Sequence, residues 1–201
     1  MQERVRYDLM APRPPEEGPI DLEAEVRGEG PIELDIGFGR GMSVFTRIEA
    51  APDARVLGIE IKAKWATKVE RRRARRELEG VTIWAADARS TLARSGPDGC
   101  VARVSVHFPD PWWKKRHTKR RVLQPAFLDT LARLMRPGGE LFVQTDVPDR
   151  HDLYVRLARE HEAFEVLDDA LADNPFGGVS NREKRAIEDG LPIHRLLARR
   201  R

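Results

Sequence analysis

Ile32-Glu-Leu-Asp-Ile-Gly-Phe-Gly-Arg-Gly41 is the stretch whose reading decides the fold. Ile32 to Ile36 reads as a short strand, and a helix follows over Gly41 to Glu49. Between them, Gly37, Gly39 and Gly41 let the backbone turn sharply and approach a ligand at the partly positive helix N-terminus. The spacing is Gly-x-Gly-x-Gly, which departs from the Gly-x-Gly-x-x-Gly of dinucleotide sites. Asp35 stands two positions before the first glycine. A carboxylate there repels a pyrophosphate but suits a cationic ligand, such as the sulfonium and amino group of S-adenosylmethionine.

Working outward, the same β-then-α order repeats. Strands read at 55–61, 81–85, 101–108, 140–145, 164–167 and 193–198, with helices at 62–78, 90–94, 125–135 and 149–161. This alternation calls for a doubly wound, mostly parallel seven-stranded sheet with helices on both faces. Residues 1–31 hold Pro12, Pro14, Pro15, Pro19 and Pro31 and read as a partly flexible arm. The expected organisation is that arm followed by one domain over 32–201. Residues 173–192 read as a loop, with Asn174-Pro-Phe-Gly-Gly-Val179 as a mobile lid.

Open α/β sheets bind ligands beyond the carboxyl ends of their strands, at the switch point. Asp35, Glu60, Asp87, Asp110 and Asp146 all fall at such ends. Each alone reads as a helix cap; together they point to a site. Glu60 lies 19 residues past Gly41, where an acid hydrogen-bonds ribose hydroxyls in such folds. Asp87 is placed to accept from an adenine amino group. After the strand containing Val104 and Val106 come Pro109-Asp-Pro-Trp-Trp113 and six Lys/Arg between Lys114 and Arg121. A carboxylate, an aromatic pair and a cationic strip suggest a place where a base is held and phosphates are neutralised. His107, alternating within the strand, reads as a packed, hydrogen-bonded residue rather than a catalytic one.

The net charge is only +3, so it is the clustering of positive charge that points to a polyanion. The eight Lys/Arg between Lys62 and Arg76 read instead as the solvated face of a helix. Cys100 is the only cysteine, which excludes an intrachain disulfide and a cysteine-based zinc site; no metal site is expected. No apolar run approaches membrane-spanning length, so the expectation is a cytoplasmic protein without membrane contact. Monomer and homodimer both remain open.

The glycine loop 35–41, Gly58-Ile-Glu60, Asp87-Ala88, Phe108-Pro-Asp-Pro-Trp112 with Lys114-Lys-Arg-His117, and Thr145-Asp146 together resemble the bacterial tRNA (guanine-N7-)-methyltransferases. The resemblance runs from about Ile32 to the C-terminus. It implies the class I, Rossmann-like methyltransferase fold, S-adenosylmethionine as cofactor and tRNA as partner, with guanine 46 of the variable loop as target. Carried over by position, it implies that Asp35, Gly37, Gly39, Glu60, Asp87 and Asp110 bind cofactor, with Asp110 also catalytic. Lys114, Asp146, Ser180, Asn181, Arg182 and Glu183 match substrate-binding positions. The family has Thr-x-Phe-Glu where this chain has Ser180-Asn-Arg-Glu183, and Asp35 stands where the family usually has Glu. Three other readings are a diverged methyltransferase acting on another RNA or a small molecule, a nicotinamide-dependent dehydrogenase, and a non-catalytic RNA-binding protein.

Overall fold

The computed structural model describes residues 10–110 and 121–201. Trp112, Trp113, Lys114 and most of the basic strip lie outside the described residues. Seven strands form the main sheet in the order β4-β3-β2-β6-β7-β9-β8. They are β2 (Ile32–Ile36), β3 (Arg55–Glu60), β4 (Val81–Ala85), β6 (Val101–His107), β7 (Met135–Thr145), β8 (Phe164–Asp168) and β9 (His194–Arg200). Strands β4, β3, β2, β6 and β7 pair in parallel, and β9 runs antiparallel to both β7 and β8. The mostly parallel, seven-stranded expectation is met. From β2 the chain winds outward through β3 and β4, then returns to lay β6 against β2's other edge. The switch point therefore lies between β2 and β6, beyond Ile36 and His107.

Side chains alternate across a strand, and the register shows what each face carries. Leu34, Val104 and Leu141 stand side by side, as do Ile36, Val106 and Val143. With Ile32, Leu57 and Ile59 they form the larger apolar core, closed by Phe127, Leu131 and Tyr154. The opposite face of the same strands is polar. Glu33 aligns with Arg103 and Glu140, Asp35 with Ser105 and Phe142, and His107 with Gln144 and Arg195.

Helix α2 (Met42–Ala50) leaves the glycine loop and brings Ser43 and Arg47 to this polar face. Helix α3 (Ala63–Arg75) buries Ala66, Val69 and a two-pronged Arg73–Glu70 pair, and leaves Lys64, Lys68 and Arg75 to solvent. That agrees with a solvated basic face. Helices α4 (Ala88–Ala93), α5 (Pro125–Leu134) and α6 (Pro148–Glu160) complete the β–α order.

Two segments carry more structure than their sequence suggests. Within the proline-rich arm, β1 (Ile20–Asp21) pairs in parallel with β5 (Ser95–Gly96), and α1 (Leu22–Glu25) follows. Ile20, Leu22 and Val26 are buried in the main core, so 20–26 is anchored by apolar contact despite the prolines around it. Residues 181–188, read as loop, form helix α7 (Asn181–Glu188). Residues 174–179, read as a mobile lid, are packed down in this structure. Phe176 is buried against Phe142 and Leu197, its carbonyl accepts from Arg47 at 2.5 Å, and Val179 N–H donates to Thr46 at 2.8 Å. No helix among the described residues is long and apolar enough to cross a membrane.

The approach of α2 to α3 depends on Gly41. Its φ is +78°, and an added Cβ would lie 2.5 Å from Val69 Cγ2. Gly41→Ala is expected to lower stability by about 1–3 kcal/mol, read as a drop in the urea midpoint; an unchanged midpoint would contradict this packing.

Candidate active site

Four buried carboxylates lie on or beside the polar sheet face, and they differ in how they are satisfied. Glu33 is met by two guanidiniums: Arg47 donates at 2.6 and 2.7 Å, and Arg103 at 3.1 Å. Glu183 accepts from Arg195 at 3.0 Å, Gln144 at 2.9 Å and the Ser180 backbone at 3.2 Å. Glu60 accepts backbone N–H groups from Gly39 at 2.9 Å and Lys62 at 2.8 Å. Among the described residues Asp35 has one donor, the Ser43 hydroxyl at 2.5 Å on Oδ2, and its buried Oδ1 has no partner.

Burial pushes the Asp35 carboxyl above its ordinary value of 3.8, and Glu60 pushes the same way. The nearby His107 and the Ser43 hydrogen bond pull against this without cancelling it. A carboxylate is costly to bury without a cation or several donors. Asp35 is only 4% exposed, at the carboxyl end of β2 and at the switch point.

The glycine loop joins Asp35 to Glu60. Gly37 N–H donates to Ile59 O at 2.8 Å, and the Gly39 contact ties the loop to the end of β3. Phe38 turns inward and packs on Gly58, where an added Cβ would meet its ring at 2.7 Å. The first three acids therefore do not share one state. Asp35 and Glu60 face the loop, whereas half-buried Asp87 caps α4. Asp87 accepts from Arg89 N–H at 2.9 Å and from its guanidinium at 3.0 Å. Burial alone would raise the Asp87 carboxyl, but the Arg89 bonds and charge outweigh it and hold the group low.

On the other side of the switch point, β6 is followed by Phe108, which adopts φ +47° and donates its N–H to Gln144 O at 2.8 Å. Asp110 follows, exposed at the rim. Asp146, past the end of β7, pairs with Arg182. Ser180 and Glu183 form a reciprocal capping box that starts α7. Asn181 is exposed and rests on Met42 Sδ at 3.6 Å. His107 is buried, with Nδ1 2.7 Å from Gln144 Nε2, as a packed histidine should be.

A family model described as "Putative methyltransferase" matches residues 29–196. A tRNA (guanine-N(7)-)-methyltransferase of Synechococcus sp. (strain JA-3-3Ab) is 36% identical over 172 residues, covering 85% of this chain and 73% of that protein. Another, from Myxococcus xanthus (strain DK1622), is 34% identical over 191 residues, covering 90% of this chain and 88% of that one. The chain belongs to the tRNA (guanine-N(7)-)-methyltransferase family. A solved SAM-dependent methyltransferase from Aquifex aeolicus superposes with a TM-score of 0.57 at 14% identity, covering 88% of this chain and 86% of that one; it shares the fold.

Within this family member, the residues missed from the sequence are those that prepare the acids. Ser43 turns Asp35. Arg47 and Arg103 neutralise Glu33. Gln144 and Arg195 carry the buried hydrogen bonds that fix Glu183. None of these five carries a local signal; the readable one nearby is Ser180-x-x-Glu183, whose capping-box spacing announces a helix start.

The sign of the Asp35 effect follows from linkage. Its folded pKa is raised, so its favourable contribution is complete below about 3.8 and is lost as pH rises through the folded value. Asp35→Asn is therefore expected to raise the melting temperature of the ligand-free protein at pH 7 relative to wild type, with the gap closing towards pH 4. A gap that is constant across that window would show that Asp35 ionises at no cost. Glu183→Ala, which leaves the buried Arg195 charge without a carboxylate, is expected to destabilise by about 3–5 kcal/mol in chemical denaturation.

Proposed function

We infer that this protein transfers a methyl group from S-adenosylmethionine to N7 of a guanine in tRNA, with guanine 46 of the variable loop as the target and the cytoplasm as the setting. The observation that carries the reading is the unmatched Asp35 carboxylate at the switch point, in a chain of this family. The residues present fit the cofactor. Among the described residues Asp35 Oδ1 lacks a donor, and a cationic ligand beside it would offset the burial that disfavours its charge. Glu60, already oriented by Gly39 and Lys62, keeps lone pairs for ribose hydroxyls. Gly37 and Gly39, at φ +75° and +57°, have nothing within 4 Å of an added Cβ, so the loop presents bare backbone to a ligand. Asp87 joins this set only by exchanging its bonds to Arg89. The arm over 1–31 and one methyltransferase domain over 32–201 complete the proposed organisation, with residues 20–26 docked on that domain.

When bound, the cofactor supplies an electrophilic methyl on a sulfonium. Guanine N7 carries a lone pair and no proton, so the chain needs no general base. That methyl would pass to N7 from the cofactor held beside Asp35 and Glu60, the sulfur keeping the electron pair of the broken sulfur–carbon bond, and positive charge would move onto the purine. Asp110, exposed beyond the constrained Phe108 turn, offers a carboxylate to that charge. Position does the remaining work, because holding the two reactants in line removes much of the entropic barrier. N7 lies in the narrow groove of A-form RNA, so the target must come from a loop or an unstacked segment. Lys114 and the basic strip past Asp110 are proposed to meet its phosphates.

Purified protein, labelled S-adenosylmethionine and unmodified tRNA are expected to give label in 7-methylguanosine. Asp110→Asn should lower kcat roughly 100-fold while cofactor affinity changes little. Folded, cofactor-bound wild type that leaves tRNA unlabelled would defeat the reading.

A further inference from the structure

Arg182 occupies a place that local rules discourage. It lies in the first turn of α7, where the positive end of the helix disfavours a cation. Ser180 and Glu183 already supply the cap, and the Arg182 side chain, 46% exposed, adds little to the core. A residue that breaks a local preference without a packing gain marks a functional position.

Its side chain reaches the loop after β7. Nε donates to Asp146 Oδ2 at 3.0 Å, and Nη2 donates to the same oxygen. Asp146 Oδ1 takes no hydrogen bond from the described residues, although the side chain is only 19% exposed. Both ends of the pair are fixed. Asp146 follows buried Gln144 and Thr145, and Thr145 Oγ1 accepts from Val147 N–H at 3.2 Å. Helix α7 is held by its capping box and by the Glu183–Arg195 pair. The guanidinium thus turns one oxygen of the carboxylate away and leaves the other for a ligand at the rim.

We propose that Arg182 is a positioning residue that orients Asp146 so that its second oxygen meets the N1–H and N2–H₂ edge of the target guanine. That edge carries two adjacent donors, which one acceptor oxygen can take together, whereas adenine sets an acceptor beside its donor there. Selection for guanine over adenine then comes from an acceptor held in place by an ion pair, and N7 stays free on the opposite edge. The inference rests on the reading above that the substrate is a guanine in tRNA.

The test is a double-mutant cycle over Arg182→Ala and Asp146→Ala, with Arg182→Lys as the conservative variant. The readouts are KM and kcat for tRNA, affinity for S-adenosylmethionine, and activity on tRNA with inosine at the target position. Arg182→Ala is expected to raise the tRNA KM about tenfold, with kcat and cofactor affinity nearly unchanged. Arg182→Lys should recover part of that loss. The double variant should be no worse than Asp146→Ala alone, and both single variants should lose the wild-type preference for guanine over inosine. Additive losses would mean that Arg182 contacts RNA on its own, and a lowered melting temperature with lost cofactor binding would mean a structural role; either overturns the proposal. Wild type that methylates no tRNA overturns the functional reading itself, which the wild-type assay separates from any result in the variants.

Discussion

A sheet face that is both buried and polar is the constraint on which this structure depends. Strands β2, β6, β7 and β9 put Glu33, Asp35, Arg103, His107, Gln144 and Arg195 on one side, away from the main apolar core. Buried charge is stable only when paired and hydrogen-bonded. The chain meets this demand by bringing arginines from α2 and β6 to Glu33, and by building a buried network around Glu183. Asp35 is the exception. It receives one hydroxyl, keeps an unsatisfied oxygen, and has its carboxyl pushed up by burial.

The division of labour across this face explains how two ligands could be handled by one sheet. The Asp35 side is left electrostatically short, at the switch point beside a glycine loop, and so favours a cationic cofactor. The Glu183 side is fully satisfied and therefore stiff. It ties β7, β9 and α7 together through Gln144, Arg195 and the Ser180 cap. Stiffness there matters because Asp146 and Arg182 project from its two ends. Phe108 links the halves, since its N–H donates to Gln144 O while its turn carries Asp110 to the rim.

Much of this was legible in the sequence because it rests on local signals. The β–α order, the glycine loop with Asp35, and the acids beyond the strand ends all follow from spacing and turn chemistry. Alternation within a strand likewise places His107 beside Gln144, buried and hydrogen-bonded rather than facing a substrate. What escaped depends on long-range pairing. Nothing near Glu33 announces Arg47 and Arg103, and nothing near Asp87 except Arg89 shows that its carboxylate is occupied. Proline content concealed the burial of Ile20 and Leu22, because apolar contact overrides a weak local preference for loop. Helix α7 is announced by its capping box, but the family resemblance assigns Ser180 and Glu183 to the substrate and so hides that local role.

The account joins a cofactor held by an under-satisfied carboxylate to a guanine presented at the same strand ends. The measurement that tests this most directly is nucleoside mass spectrometry of tRNA from cells lacking this protein, compared with cells in which it has been restored. The account predicts that 7-methylguanosine disappears from tRNA in its absence and returns with wild type but not with Asp110→Asn. Unchanged 7-methylguanosine, with a different methylated nucleoside lost instead, would contradict it.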